Sequence, residues 1–275
     1  MQTWFEPKAG TTARAVVVFA PAMGVRQDYY AEFANHLADH QFLVGTVDYR
    51  AMGFNEPVSL RGEKVTFMDW QIDIENLLDA ATQRASGLPL ILCGHSLGGQ
   101  LVGTLRNRRH IDAVLTVASG TGYWGHNPKM RLQLLYLWYF AMPVLTRLCG
   151  YFPGRRLNKV GNLPREIALT WARWCRDPRY LMGDPEVRER STFDQVTLPM
   201  LSLSFADDDY IPKAAVEHLH GFYTNARLER RHVHPREVGS QRIGHFGFFK
   251  LGGAHPLWQQ TVAWLETHAL GGKAG

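Results

Sequence analysis

The chain has 275 residues, 45% of them hydrophobic and 20% charged, which excludes a disordered or fibrous protein and leaves one large domain, or one domain with an insertion. The net charge is +5 with a pI near 9.2, but the excess sits in short clusters (Arg106, Arg108 and Arg109; Arg155 and Arg156; Arg230 and Arg231). No nucleic-acid-binding motif accompanies them, so a solvated basic surface is expected. Cys93, Cys149 and Cys175 form neither a disulfide framework nor a metal-ligand spacing, and the start MQTWFEPKAG lacks the basic end and apolar run of a signal peptide. A reducing cytoplasm is the expected location.

Residues 14–20 (RAVVVFA) form a continuous apolar run and predict a strand buried on both faces. A helix follows over 28–40, with Tyr29, Phe33 and Leu37 on one side, then a strand over 42–47. After a polar loop at 56–64, the stripe of Phe67, Trp70, Ile74, Leu77 and Leu78 predicts a helix over 66–84. Strands are predicted at 88–93 and 111–118, with a helix over 98–107 between them. Two more strands follow at 199–205 and 226–233, and a helix over 257–268 leads to a polar GGKAG ending that reads as disordered. Alternating strands and helices argue for a mostly parallel sheet covered on both faces.

Residues 120–193 break the alternation. They carry Trp124, Trp138, Trp171 and Trp174 and no convincing strand, and read as a helical insertion. Within them, 132–145 is strongly apolar and aromatic. At fewer than about 20 residues, with Pro143 inside and Arg147 just beyond, it is short for a membrane span and fits a buried or membrane-surface helix better.

The sharpest chemical signal is Gly94-His95-Ser96-Leu97-Gly98-Gly99, set between the strand LILC and a helix. A serine on so tight a turn needs strained backbone angles, and glycines two residues to either side relieve the crowding. Its oxygen is then held above the sheet edge, at a helix N-terminus that favours developing negative charge.

This segment resembles the nucleophile elbow of the α/β-hydrolases, whose triad runs serine, acid, histidine. The resemblance covers roughly residues 10–120 and 194–270 and implies an α/β-hydrolase core from 1–119 and 194–275, with 120–193 as a helical cap. The PAMGV loop and the GHFGFF ending are similar to a group of bacterial α/β-hydrolases near the monoacylglycerol lipases and serine aminopeptidases. In the family the acid lies four residues before a proline, which points to Asp208 in ADDDYIP, with Asp207 and Asp209 as alternatives. The base follows the last strand, which points to His245, with His232, His234 and His255 as alternatives. His95, beside the nucleophile, is expected to pack under the elbow. One oxyanion donor is the Leu97 amide. The other comes from Pro21-Ala22-Met23-Gly24, where many relatives carry His-Gly; alignment selects Met23, with Ala22 one place away. Asp48-Tyr49-Arg50-Ala51-Met52-Gly53 is similar to a family segment that serves structure, through turns and a buried ion pair.

The resemblance implies a Ser-His-Asp hydrolase that needs no metal or organic cofactor. The aromatic cap, with Trp124, Tyr136, Trp138, Tyr139, Phe140, Trp171 and Trp174, suggests a small apolar acyl or aromatic ester as substrate. Thioester, amide or peptide cleavage and acyl transfer stay open, as does a non-catalytic binding role on the same scaffold. Peripheral membrane contact through the cap could accompany any of these.

Overall fold

The computed structural model describes residues 1–157 and 160–270; the GGKAG ending lies outside them. A seven-stranded sheet runs through the molecule in the order β1-β3-β2-β4-β5-β8-β9. Its strands are β1 (Gln2–Phe5), β2 (Ala15–Ala20), β3 (Phe42–Val47), β4 (Leu90–His95), β5 (Ala113–Val117), β8 (Pro199–Phe205) and β9 (Arg227–Val233). Only β1 runs antiparallel, pairing with β3.

The apolar strands owe their continuity to burial on both sides. Along β2, Val16, Val18 and Ala20 join one core while Ala15, Val17 and Phe19 join the other. Leu90 and Leu92 of β4 split from Ile91 and Cys93 in the same way. Helix α2 (Phe67–Arg84) closes the first core with Trp70, Ile74, Leu77 and Leu78. Its start is a capping box, in which the Thr66 N–H donates to the Asp69 carboxylate at 2.8 Å and the Asp69 N–H donates back to the Thr66 hydroxyl. Helices α1 (Ala31–Asp39) and α9 (Pro256–Leu265) close the second through Phe33, Leu37, Trp258 and Val262.

The helix expected over 98–107 is much shorter: α3 spans Leu97–Gln100, followed by one 3-10 turn at Val102–Thr104. A Cβ on Gly103 would stand 2.2 Å from the Phe193 ring, and the Gly103 carbonyl accepts both the Thr192 N–H and hydroxyl. These distant contacts take the place of helix continuation. The stretch from β5 to β8 holds α4 (Arg131–Tyr136), a wider π turn at Leu137–Ala141, α5 (Met142–Cys149), α6 (Arg165–Trp174) and α7 (Pro185–Arg190). It also holds two two-residue strands not expected from the sequence, β6 (Tyr151–Phe152) and β7 (Leu163–Pro164). Helix α8 (Lys213–His220) then links β8 to β9. The ion pair expected in the 48–53 segment is not fully buried. Arg50 bonds Asp69 and Asp73 with its own side chain 39% exposed, while the buried Asp48 accepts the backbone N–H groups of Gln27 and Phe54.

Candidate active site

The loops that follow β2, β4, β8 and β9 meet at the carboxyl edge of the sheet. Ser96 stands where β4 turns into α3, with φ +49° and ψ −111°. That left-handed backbone is costly for serine, about 1–3 kcal/mol. The glycines around it are sterically required: a Cβ on Gly94 would lie 2.5 Å from Gly99, and one on Gly98 only 2.0 Å from the Ala20 carbonyl oxygen.

The Ser96 Oγ lies 3.0 Å from His245 Nε2, and His245 Nδ1 lies 2.8 Å from an Asp208 carboxylate oxygen. Because a carboxylate only accepts, Nδ1 carries the proton and Nε2 accepts from the serine hydroxyl. The second Asp208 oxygen accepts the N–H groups of Tyr210 and Ile211 at 2.8 and 2.9 Å. His245 and Asp208 are both buried.

The three consecutive aspartates serve separate ends. Asp207 turns away from the imidazole and accepts the N–H groups of Ile243 and Gly244, fastening the loop that carries His245. Asp209 is exposed, 3.9 Å from Lys129. The alternative histidines also lie elsewhere. His232 bonds Ser204, His234 caps the short turn at Pro235–Val238, and His255 accepts the Leu257 N–H at the start of α9.

His95 does more than pack. Its Nε2 donates to the His245 backbone carbonyl at 3.0 Å. Burial, reinforced by the neighbouring His245, pushes its pKa well below the ordinary histidine value, so the ring is neutral and Nδ1 accepts. The donor is the Tyr30 hydroxyl at 3.0 Å, which in turn accepts the Ala22 N–H at 2.8 Å. The Ala22 amide is thereby committed. The amides of Met23 and Leu97 donate to no group among the described residues, and both residues line the cavity beside Ser96.

That cavity has a volume of about 260 Å³. Its floor is Ser96, His245, Met23 and Leu97, and its apolar walls come largely from the β5–β8 segment through Leu134, Leu137, Trp138, Met142, Phe152 and Trp171. Of the aromatics expected around a substrate, Trp138 and Trp171 line it, whereas Trp174 stacks on Phe67 inside the core and Tyr136, Tyr139 and Phe140 face outward. Asn127 was not foreseen from sequence. It lines the cavity, is buried, and donates to the backbone carbonyl of Asp209 at 2.7 Å, tying the β5–β8 segment to the Asp208 loop. Nothing in its local sequence signals that contact.

Among solved structures, the chain is similar to a soluble variant of monoglyceride lipase from Saccharomyces cerevisiae in complex with a substrate analog (TM-score 0.64, 14% identity, covering 98% of this chain and 91% of that one). It is also similar to Est1E from Butyrivibrio proteoclasticus with bound ferulic acid (TM-score 0.59, 13% identity, 98% and 94%). A third likeness is the Pyrococcus horikoshii acylaminoacyl peptidase (TM-score 0.57, 14% identity), where all of this chain corresponds to 40% of the other. At such identities the likeness is one of fold, and the mostly parallel sheet with helices on both faces is the α/β-hydrolase architecture. No curated protein sequence matches. The family of serine aminopeptidases, S33, matches residues 11–210, a stretch that holds Ser96 and Asp208 and stops short of His245; the chain is a serine hydrolase and belongs to that family.

Proposed function

We propose that the protein hydrolyses carboxylic esters with an apolar acyl or aromatic portion, with Ser96 as nucleophile, His245 as base and Asp208 as the orienting acid. The observation that carries this reading is the 3.0 Å contact between Ser96 Oγ and His245 Nε2 on the floor of an apolar cavity. His245 takes the Ser96 proton as the oxygen attacks the carbonyl carbon. The amides of Leu97 and Met23 receive the oxyanion, and Asp208 stabilises the imidazolium that forms. His245 returns the proton to the leaving alcohol, then activates water to release the acid from Ser96.

Residues 120–193 act as a cap over a core formed by 1–119 and 194–275. The cap supplies Trp138, Met142 and Phe152 to the acyl side, which supports an apolar substrate over a charged one. Hydrolysis of p-nitrophenyl esters from acetate to palmitate tests the reading. Activity that rises beyond acetate and then falls once the cavity is filled is expected; cleavage of a matched thioester or anilide but of no oxygen ester would overturn the ester assignment.

A further inference from the structure

From Arg131 to Cys149 the chain forms one helical rod of 19 residues, long and apolar enough by length and composition to cross a membrane. Its inner side rules out that placement in this fold: Trp138, Met142, Pro143 and Thr146 are buried, and Trp138 and Met142 wall the cavity above Ser96. The outer side carries Leu132, Tyr136, Phe140, Val144 and Leu148, exposed by 81, 66, 62, 50 and 75%, with Tyr139 beside them. In an α-helix every fourth residue drifts by about 40° around the axis. The π turn at Leu137–Ala141 removes part of that drift and helps keep the series on one side. Five large exposed apolar side chains in a row along one helical rod far exceed scattered exposure.

Charge indicates what covers them. Residues 113–165 contain seven Lys or Arg and no Asp or Glu, in a chain whose total is only +5. Arg131 and Arg147 are exposed on the rod and Arg156 just beyond it, and none has an acidic partner among the described residues. Lys129 and Arg155 reach Asp209 and Glu56, which belong to other parts of the chain. A helix lying flat, apolar and aromatic outward with cations at its margins, matches the interface of an anionic bilayer. A second copy of the chain would instead bring two such cationic stretches together.

We propose that this outer face is a docking surface for membranes containing anionic lipid, seating the rod in the headgroup region with the cavity on its protein side. Co-sedimentation with phosphatidylcholine vesicles, with and without phosphatidylserine, tests it. The wild type is expected to bind vesicles containing phosphatidylserine and to be released by high salt. The variant Leu132→Ser/Phe140→Ser/Leu148→Ser, none of which lines the cavity, is expected to lose binding by about tenfold or more, with a melting temperature close to wild type. Arg131→Gln/Arg147→Gln/Arg156→Gln is expected to weaken binding only to the anionic vesicles. A wild type that stays in the supernatant, binding indifferent to phosphatidylserine, or binding retained by the serine variant would each overturn the proposal. So would a wild-type dimer, seen by sedimentation equilibrium, that the serine variant dissolves. None of these outcomes touches the chemistry proposed for Ser96.

Discussion

The Tyr30 hydroxyl stands 3.0 Å from Nδ1 of His95, and this one contact links the two sides of the site. On one side Tyr30 holds the Ala22 amide of the loop after β2; on the other His95 holds the backbone carbonyl of His245. His95, the residue before Ser96, therefore ties the loop that bears Met23 to the loop that bears His245.

Tyr30→Phe removes the hydroxyl and leaves two buried polar groups without partners. The expected cost is about 1–3 kcal/mol of stability by urea denaturation. A fall in kcat of roughly tenfold or more, with KM little changed, should accompany it as the two loops lose their register. A stability loss with kcat intact would confine Tyr30 to packing.

The tandem aspartates separate by kinetics. Asp208→Asn should lower kcat by about ten-thousandfold, because the amide can no longer hold the correct imidazole tautomer or balance its charge. Asp209→Asn, at an exposed position, should change kcat less than about twofold. Asp207→Ala should act mainly on stability, since it frees the Ile243 and Gly244 amides.

Gly98→Ala should abolish both accumulation of folded protein and activity. The added methyl would meet the Ala20 backbone carbonyl at 2.0 Å, and neither β2 nor the elbow has room to retreat. Gly252→Ala, a glycine with positive φ but open space around it, should cost only about 1 kcal/mol by the same denaturation measurement.

Stability should fall on mild acidification through a histidine remote from the serine. His220 is buried, with Nδ1 donating to the Val216 carbonyl and Nε2 accepting from the Thr116 hydroxyl, and burial pushes its pKa down to about 4. The unfolded chain binds the proton from about pH 6.5, so the stabilisation is complete above that value and is lost as pH falls from there to about 4. The full loss approaches roughly 3 kcal/mol. His95 adds to the trend in the same direction. Chemical denaturation at a series of pH values should show a shallower slope for His220→Gln.

Much of this was legible in the sequence, for identifiable reasons. Strands such as AVVVFA and LILC read clearly because each is buried on two faces, and the glycines around Ser96 read clearly because nothing larger fits. Spacing to Pro212 selected Asp208 from its neighbours, and Gly244 marked the loop of His245. Other features depend on contacts that sequence cannot display. Alignment preferred Met23 to Ala22, but the Tyr30 bond that occupies the Ala22 amide is a contact the sequence does not display. The shortness of α3 follows from Phe193 pressing on Gly103. The seven aromatics of the 120–193 segment named for the substrate looked equivalent, yet of those seven only Trp138 and Trp171 reach the cavity, because the π turn and α6 decide which way each ring faces.

The role of Ser96 can be read most directly by mass. A fluorophosphonate probe should add one label to the wild-type protein, located by peptide mapping on Ser96, and none to Ser96→Ala; His245→Ala should label far more slowly. Labelling that persists in Ser96→Ala, or a folded wild type that stays unlabelled, would contradict the assignment of Ser96 as the nucleophile.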